Sequence, residues 1–461
     1  MTVLHFNSAL LPSGWADDVR VTLHDGCIAS VEAGVDPQVG DRRHAVAIPG
    51  MTSLHSHAFQ RGMAGLAEMR SPAADGTTDT FWTWRETMYR FALNMTPEDL
   101  EAVATLLYVE LLETGFTRVG EFHYLHHAPD GAPYANPAEM ATRISNAAWT
   151  AGLGLTLLPC FYAHNGFGGA APHAGQRRFV CSVDQFARLV DASHTAIRNL
   201  PSANLGIAPH SLRAVTPDEL AAIMPLTDSG PVHIHAAEQT KEVADCLAWS
   251  GKRPVQWLLD NAKIDARWCL IHATHITDAE IRAFAVSGAV AGLCPVTEAS
   301  LGDGIFPARD FLSYGGRFGM GTDSNILVGV TDELRQLEYS QRLQHRERNV
   351  LAGSQLAGAG NLSTGRVLFD GALAGGAQAL AQPLPGLRPG TDADIVTLDA
   401  SHPSLAGRAG DAILDGWIFA TGGNAIDCVY ARGVKVVEGG RHRLRHRARE
   451  TFNAVVRRLV A

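Results

Sequence analysis

Residues 47–57 read AIPGMTSLHSH, an apolar run that stops at two histidines one residue apart. Strand side chains alternate between faces, so His55 and His57 point to the same side. Seven more strand-like runs follow, at 117–122, 153–158, 205–208, 232–236, 269–273, 290–293 and 318–321. Stretches with helix signals separate them. The clearest starts at Thr96-Pro97-Glu98-Asp99, where a capping Thr and a first-turn Pro precede Leu100, Val103, Ala104, Leu107 and Leu111 at helical spacing. Others fall near 137–151, 183–199, 216–224, 277–286, 331–346 and 365–381. Buried-type strands alternating with helices predict an α/β protein with a parallel sheet, and eight strands are the number that closes a TIM-like (β/α)8 barrel. An open doubly wound sheet is the alternative, but no GxGxxG follows the first run.

Outward from this middle, the ends of the chain look different. Val19–Leu23 and Cys27–Val31 flank Asp25-Gly26, a hairpin signal. Asp394-Ile395-Val396 reads as a short strand, and Cys428–Ala431 pairs naturally with Val434–Val437 across Arg432-Gly433. Chain termini usually lie close together, so the two ends are expected to form one small discontinuous β-sandwich domain. The expected division is 1–47 and 385–461 for that domain and 48–384 for the barrel. Residues 441–461, with seven Arg against one Glu, read as a solvated terminal helix.

Composition excludes several roles. Of 461 residues 46% are hydrophobic and 18% charged, which suits a globular chain, and the net charge of -9 is opposite in sign to a nucleic-acid footprint. Neither a secretory leader nor an apolar run long enough for a membrane helix is visible. The seven cysteines (27, 160, 181, 246, 269, 294 and 428) are odd in number and widely spaced, with no CxxC pair, so a disulfide framework is not expected. A soluble protein of the reducing cytoplasm is the expectation. The 20 histidines are the anomaly.

In a barrel the chemistry sits at the C-terminal ends of the strands. The first run ends in Leu54-His55-Ser56-His57, the fifth in His233-Ile234-His235-Ala236-Ala237-Glu238, the sixth in Ile271-His272-Ala273 and the eighth in Gly321-Thr322-Asp323-Ser324. Any one of these could be a satisfied buried histidine. Four strand ends offering imidazole or carboxylate at equivalent places point together to a metal site.

The set HSH at 55–57, HxxE at 235–238, His272 and GTDS at 321–324 resembles the amidohydrolase superfamily, in particular its deaminase branch, and the likeness runs the length of the chain. It implies that His55, His57, His235 and Asp323 hold a divalent metal while Glu238, His272 and Asp323 move protons. Three imidazoles, one carboxylate and an open position for water favour zinc, with iron or manganese as alternatives. Binuclear members bridge their metals with a modified lysine after the fourth strand. Here the only lysines are 241, 252, 263 and 435, and the fourth run continues into Pro209-His210-Ser211-Leu212-Arg213, so one metal is expected.

Phe81-Trp82-Thr83-Trp84-Arg85, Glu121-Phe122-His123-Tyr124, His210-Ser211-Leu212-Arg213 and Leu301-Gly302-Asp303-Gly304-Ile305-Phe306-Pro307 resemble, within that branch, the family that hydrolyses N-formimino-L-glutamate to N-formyl-L-glutamate and ammonia in histidine degradation. The substrate implied is a small dicarboxylate. An acidic protein needs local cations to hold it, and Arg85 and Arg213 are the candidates, Arg85 lying on the long loop expected after the first strand. An Arg beside two Trp residues also fits a stacked surface group. Gln60, Tyr124 and His210 would add hydrogen bonds. The alternative is deamination of a heteroaromatic ring such as guanine. Relatives of this kind are commonly homodimers, which is the expected assembly.

Overall fold

The structure is a computed structural model, and it describes residues 1–69, 79–353, 363–422 and 425–460. Ala461, the last residue of the expected terminal helix, lies outside them. Four strands open the chain: β1 (Thr2–Leu11), β2 (Gly14–His24), β3 (Cys27–Glu32) and β4 (Arg42–Pro49). The expected hairpin is the β2–β3 pair, turning at Asp25-Gly26. The run 47–54 does not form a single strand. It divides at Gly50, whose Cβ would come within 2.4 Å of the Thr117 side chain, so the chain leaves one sheet and starts the next only because that position is bare.

The barrel follows as β5 (Met51–Ser56), β6 (Phe116–His123), β7 (Gly154–Phe161), β8 (Asn204–Leu205), β9 (Ala208–Pro209), β10 (Val232–Ala236), β11 (Trp268–His272), β12 (Val290–Leu293) and β13 (Arg317–Met320). All pairings among them are parallel. The short β8 and β9 are two pieces of the expected fourth strand. Isolated bridges Ile207–Val232 and Ser211–His235 join that segment to β10, and Ser56–Asp323 ties the end of β13 back to β5. The ring of eight strand positions thereby closes. Each of β5, β6, β10 and β11 is buried at every residue, as a sheet covered on both faces demands.

The remaining strands are β14 (Ile395–Leu398), β15 (Ile426–Ala431), β16 (Val434–Glu438) and β17 (Arg441–His442). They join the opening strands in one mixed sheet of eight, ordered β17-β16-β15-β14-β4-β1-β2-β3. Its centre is the pairing of β14 with β4, where the two ends of the chain meet. Leu4, Phe6, Val19, Val21, Ile28, Ile395 and Tyr430 form its own buried cluster. The helix Arg445–Val460 lies on the helix Pro97–Glu113, with Arg458 on Asp99 and Arg445 on Glu113.

Residues 81–85 are not loop, as the sequence suggested, but the first turns of a helix, Phe81–Ala92. Thr80 and Thr83 cap it reciprocally, an arrangement that satisfies first-turn N–H groups. Among the described residues no helix is long and apolar enough to cross a membrane.

Candidate metal centre and active site

Strand β5 delivers His55 and His57 to the mouth of the barrel, β10 delivers His235, and the turn after β13 delivers Asp323. One donor atom of each lies within 4.8 Å of the other three, and all four residues are buried. His55 Nε2 is 3.2 Å from His235 Nε2 and 3.3 Å from Asp323 Oδ1, and His57 Nε2 is 3.4 Å from the same oxygen. Unprotonated Nε2 atoms are what a cation requires, and the outer ring nitrogens explain how they arise. His57 Nδ1–H donates to the Phe122 carbonyl at 2.9 Å and His235 Nδ1–H to the His210 carbonyl at 2.9 Å. Those bonds fix the tautomer with Nε2 facing inward. Burial pushes the imidazole of His55 down to about 3 and lowers those of His57 and His235 too, so all three are neutral at pH 7. The donor set therefore fits a divalent metal.

Asp323 sits where backbone order is expensive. Its φ is 44°, and His272, Ala273 and Ala237 have φ of 67°, 47° and 51°. Left-handed geometry in non-glycine residues costs on the order of 1–3 kcal/mol each and persists where surroundings over-determine it. Asn325 supplies much of that order, its side-chain amide donating to the carbonyls of His57 at 3.1 Å and Asp323 at 2.8 Å. Gly321 completes the crossing, because a Cβ there would lie 2.7 Å from His55 Cβ.

The second group of polar residues surrounds His272. Its Nδ1–H donates to Glu298 Oε1 at 3.2 Å, while Nε2 stands 3.8 Å from Glu238 Oε1 and 3.9 Å from Asp323 Oδ2. Burial opposes a charge on this imidazole, but Glu238, Glu298 and Asp323 outweigh it and push it up to about 10. Burial raises Glu238 to about 7, even though His272 and Arg213 pull the other way. Asp323 is held below the usual carboxylate range: burial would raise it, and the hydrogen bond and charge of His55 with His272 and His57 prevail.

Above these residues lies a cavity. Gln60, Arg85, Tyr124, His210 and Arg213 all line it, together with His57, His235, Glu238, His272 and Asp323. His55 alone of the candidates stands behind the wall. Gln60 donates to the Tyr124 hydroxyl at 2.8 Å, and Arg213 Nη2 reaches Glu238 Oε2 at 3.4 Å. Arg85 stacks on Trp82 at 4.5 Å. Among the described residues its Nε–H and the Oε1 of Gln60 are buried without a partner, which is costly unless a ligand supplies one.

Sequence reasoning missed part of this wall. Phe81, Trp84, Met88 and Tyr89 come from the unforeseen helix, and Tyr162 and Phe179 follow β7. Two buried carboxylates behind the site were also missed. Glu298 holds His272, and Glu242 accepts the backbone N–H groups of Ala237 at 3.2 Å and Glu238 at 3.1 Å. Glu242, four residues beyond Glu238 at the start of a helix, carried a detectable N-terminal signal.

A closed parallel barrel that gathers three imidazoles and a carboxylate at its mouth defines a metal-dependent hydrolase, and the chain belongs to the amidohydrolase family, which its residues 46–436 match. Residues 1–45 match the family described as formimidoylglutamate deiminase HutF, N-terminal domain. The whole chain is 49% identical, over 462 aligned residues and 100% of both proteins, to the formimidoylglutamate deiminase of Pseudomonas aeruginosa. The crystal structure of an amidohydrolase from Brucella melitensis is 58% identical with a TM-score of 0.95, covering 100% of both chains. An adenosine deaminase from Xanthomonas campestris, solved with bound zinc, shares the fold at a TM-score of 0.78 and 21% identity over 98% of each chain.

Proposed function

We propose that this protein is the deiminase that hydrolyses N-formimino-L-glutamate to N-formyl-L-glutamate and ammonia in histidine degradation. The observation that carries the reading is the pair of arginines, Arg85 and Arg213, lining one cavity with Asp323 and Glu238. A linear amidine bearing two carboxylates needs two fixed cations at one end and proton-transfer groups at the other. A neutral ring such as guanine would leave Arg85 with its buried, unpartnered Nε–H.

His55, His57, His235 and Asp323 would hold one divalent metal, with zinc the best match to three imidazoles and a carboxylate. When bound, such a metal lowers the pKa of water toward neutrality and so supplies a nucleophile. The chain's own residues do the rest. Asp323 Oδ2 takes the proton of the attacking water and shares it with His272 Nε2, 3.9 Å away. His272, held through Nδ1 by Glu298, keeps Nε2 directed at Asp323 for that exchange. Glu238, poised at about 7, carries a proton to the departing nitrogen, because an acid near the working pH both gives and regains it. The amidine carbon gains oxygen, the C–N bond breaks, and ammonia leaves. Gln60, Tyr124 and His210 orient the amidine, and Trp84 and Phe81 help to exclude water.

Ammonia release from formiminoglutamate by the metal-loaded protein, abolished by a chelator, tests the reading; turnover of guanine without turnover of formiminoglutamate would reject it. Arg213→Met should raise KM by roughly 10–100-fold, the loss expected when a charged hydrogen bond worth about 1.5–3 kcal/mol is removed. A homodimer belongs to the same reading and is checked by sedimentation.

A further inference from the structure

The two oxygens of Asp323 face different neighbours. Oδ1 approaches His55 and His57, whereas Oδ2 lies 3.9 Å from His272 Nε2. A carboxylate so placed can serve two cations. His272 also has the outer bond that marks a metal-ligating imidazole: a carboxylate, Glu298, on the opposite ring nitrogen. A third donor is present. One ring nitrogen of His272, the thiol of Cys294 and a carboxylate oxygen of Asp323 lie within 4.8 Å of one another, and all three residues are buried. Cys294 directly follows β12, and its backbone N–H is pinned to Glu298 Oε1 at 3.0 Å, the oxygen that holds His272. Glu238 Oε1, 3.8 Å from His272 Nε2, stands within reach as a fourth donor.

We propose that His272, Cys294 and the outer oxygen of Asp323 form a second cation site, selective for thiophilic divalent ions, that shares Asp323 with the three-histidine group and stops hydrolysis when filled. The proposal rests on the assignment of His55, His57, His235 and Asp323 to the resident metal. Its selectivity follows from the sulfur: a thiolate prefers cadmium or zinc, while magnesium and calcium prefer sets made of oxygen alone. Binding forms a sulfur–metal and a nitrogen–metal bond and releases to solvent both the thiol proton of Cys294 and the proton that His272 carries on Nε2, with no change of oxidation state. Inhibition follows from geometry, since the incoming ion occupies His272 Nε2 and Asp323 Oδ2, the atoms assigned to water's proton. The missing bridging lysine does not forbid a second ion here, because these donors come from β11, β12 and β13 and not from the fourth strand.

Holoenzyme carrying one equivalent of metal, titrated with Cd²⁺, is expected to take up one further equivalent while an ultraviolet thiolate-to-cadmium absorption grows and ammonia release falls. The same titration with Mg²⁺ should do neither. Exchange of Cd²⁺ into the three-histidine group produces no such absorption, since no thiol belongs to it. Cys294→Ala should keep the first equivalent and the basal rate, lose the absorption, and need at least about tenfold more Cd²⁺ for inhibition, the lower end of what a perturbed ligand shell costs in metal affinity. Cys294→Ser, closer in size, should behave alike. An absorption that persists in both variants, and so arises from another cysteine, overturns the proposal. So does a wild-type protein that binds one equivalent, releases ammonia and takes no second. A protein that binds no first equivalent sinks the functional reading and this proposal with it.

Discussion

Glu238 and Glu121 are both buried carboxylates near the mouth of the barrel, yet they call for opposite tests. Glu238 lines the cavity beside His272 and Arg213. Glu238→Gln keeps the shape and removes the proton, so kcat should fall about 10²–10⁴-fold while metal content, measured by elemental analysis, stays unchanged. Glu121 instead accepts the Ala58 N–H at 2.7 Å and the Tyr108 hydroxyl at 3.2 Å, and burial pushes it up to about 8 from an ordinary 4.5. A raised acid binds its proton more tightly folded than unfolded. Its contribution is therefore full below about 4.5 and is lost as pH climbs toward about 8. Glu121→Gln cannot ionise, so its melting temperature relative to wild type should improve across that window and then level off. A constant difference in melting temperature from pH 5 to 8 would refute this. At this scale the sequence exposed the residues that stand at strand ends, His55, His57, His235, His272 and Asp323. It could not expose Asn325 or Glu298 in their roles, because each acts on a partner fixed only by folding: Asn325 on His57, Glu298 on His272.

Elements were legible where periodicity is strong. The hairpin at Asp25-Gly26, the long helix beginning at Pro97 and the buried runs of the barrel each carry local signals that the fold retains. Two elements were misread for identifiable reasons. The run 47–54 reads as one strand only if Pro49-Gly50 is passed over; that dipeptide is a local turn signal at the passage from β4 to β5, and the closeness of Gly50 to Thr117 fixes the break there. The helix Phe81–Ala92 carries Phe81, Trp84, Met88 and Ala92 at helical spacing, a stripe that the neighbouring Trp82 and the charged pair Arg85-Glu86 obscure, and that face roofs the cavity. Strand crossings give the element-scale test. Gly321→Ala forces a methyl group against His55, and overpacking of that kind costs about 1–3 kcal/mol. Because the strain falls on a proposed ligand, metal affinity in equilibrium dialysis should weaken along with thermal stability; unchanged affinity would show that His55 is free to shift.

For the whole molecule, the cation and the fold should stabilise each other. Four donors from β5, β10 and the turn after β13 bring distant segments to one point, and only the folded chain presents them together. A metal present at about 100 times its dissociation constant adds about 2.7 kcal/mol to the folded state. Chelation should therefore lower the melting temperature by several degrees and re-addition of zinc should restore it, while equal melting curves would place the metal elsewhere. The sequence by itself determined the architecture, since buried runs, caps and turns are written in neighbouring residues and eight parallel runs have one compact way to close. It also determined which chemical groups stand at the strand ends. Only the tertiary structure decided which ring nitrogen faces inward, which carboxylate is poised near neutrality and which buried arginine nitrogens lack a partner among the described residues. Those depend on burial and on bonds to residues remote along the chain, and no periodicity records them.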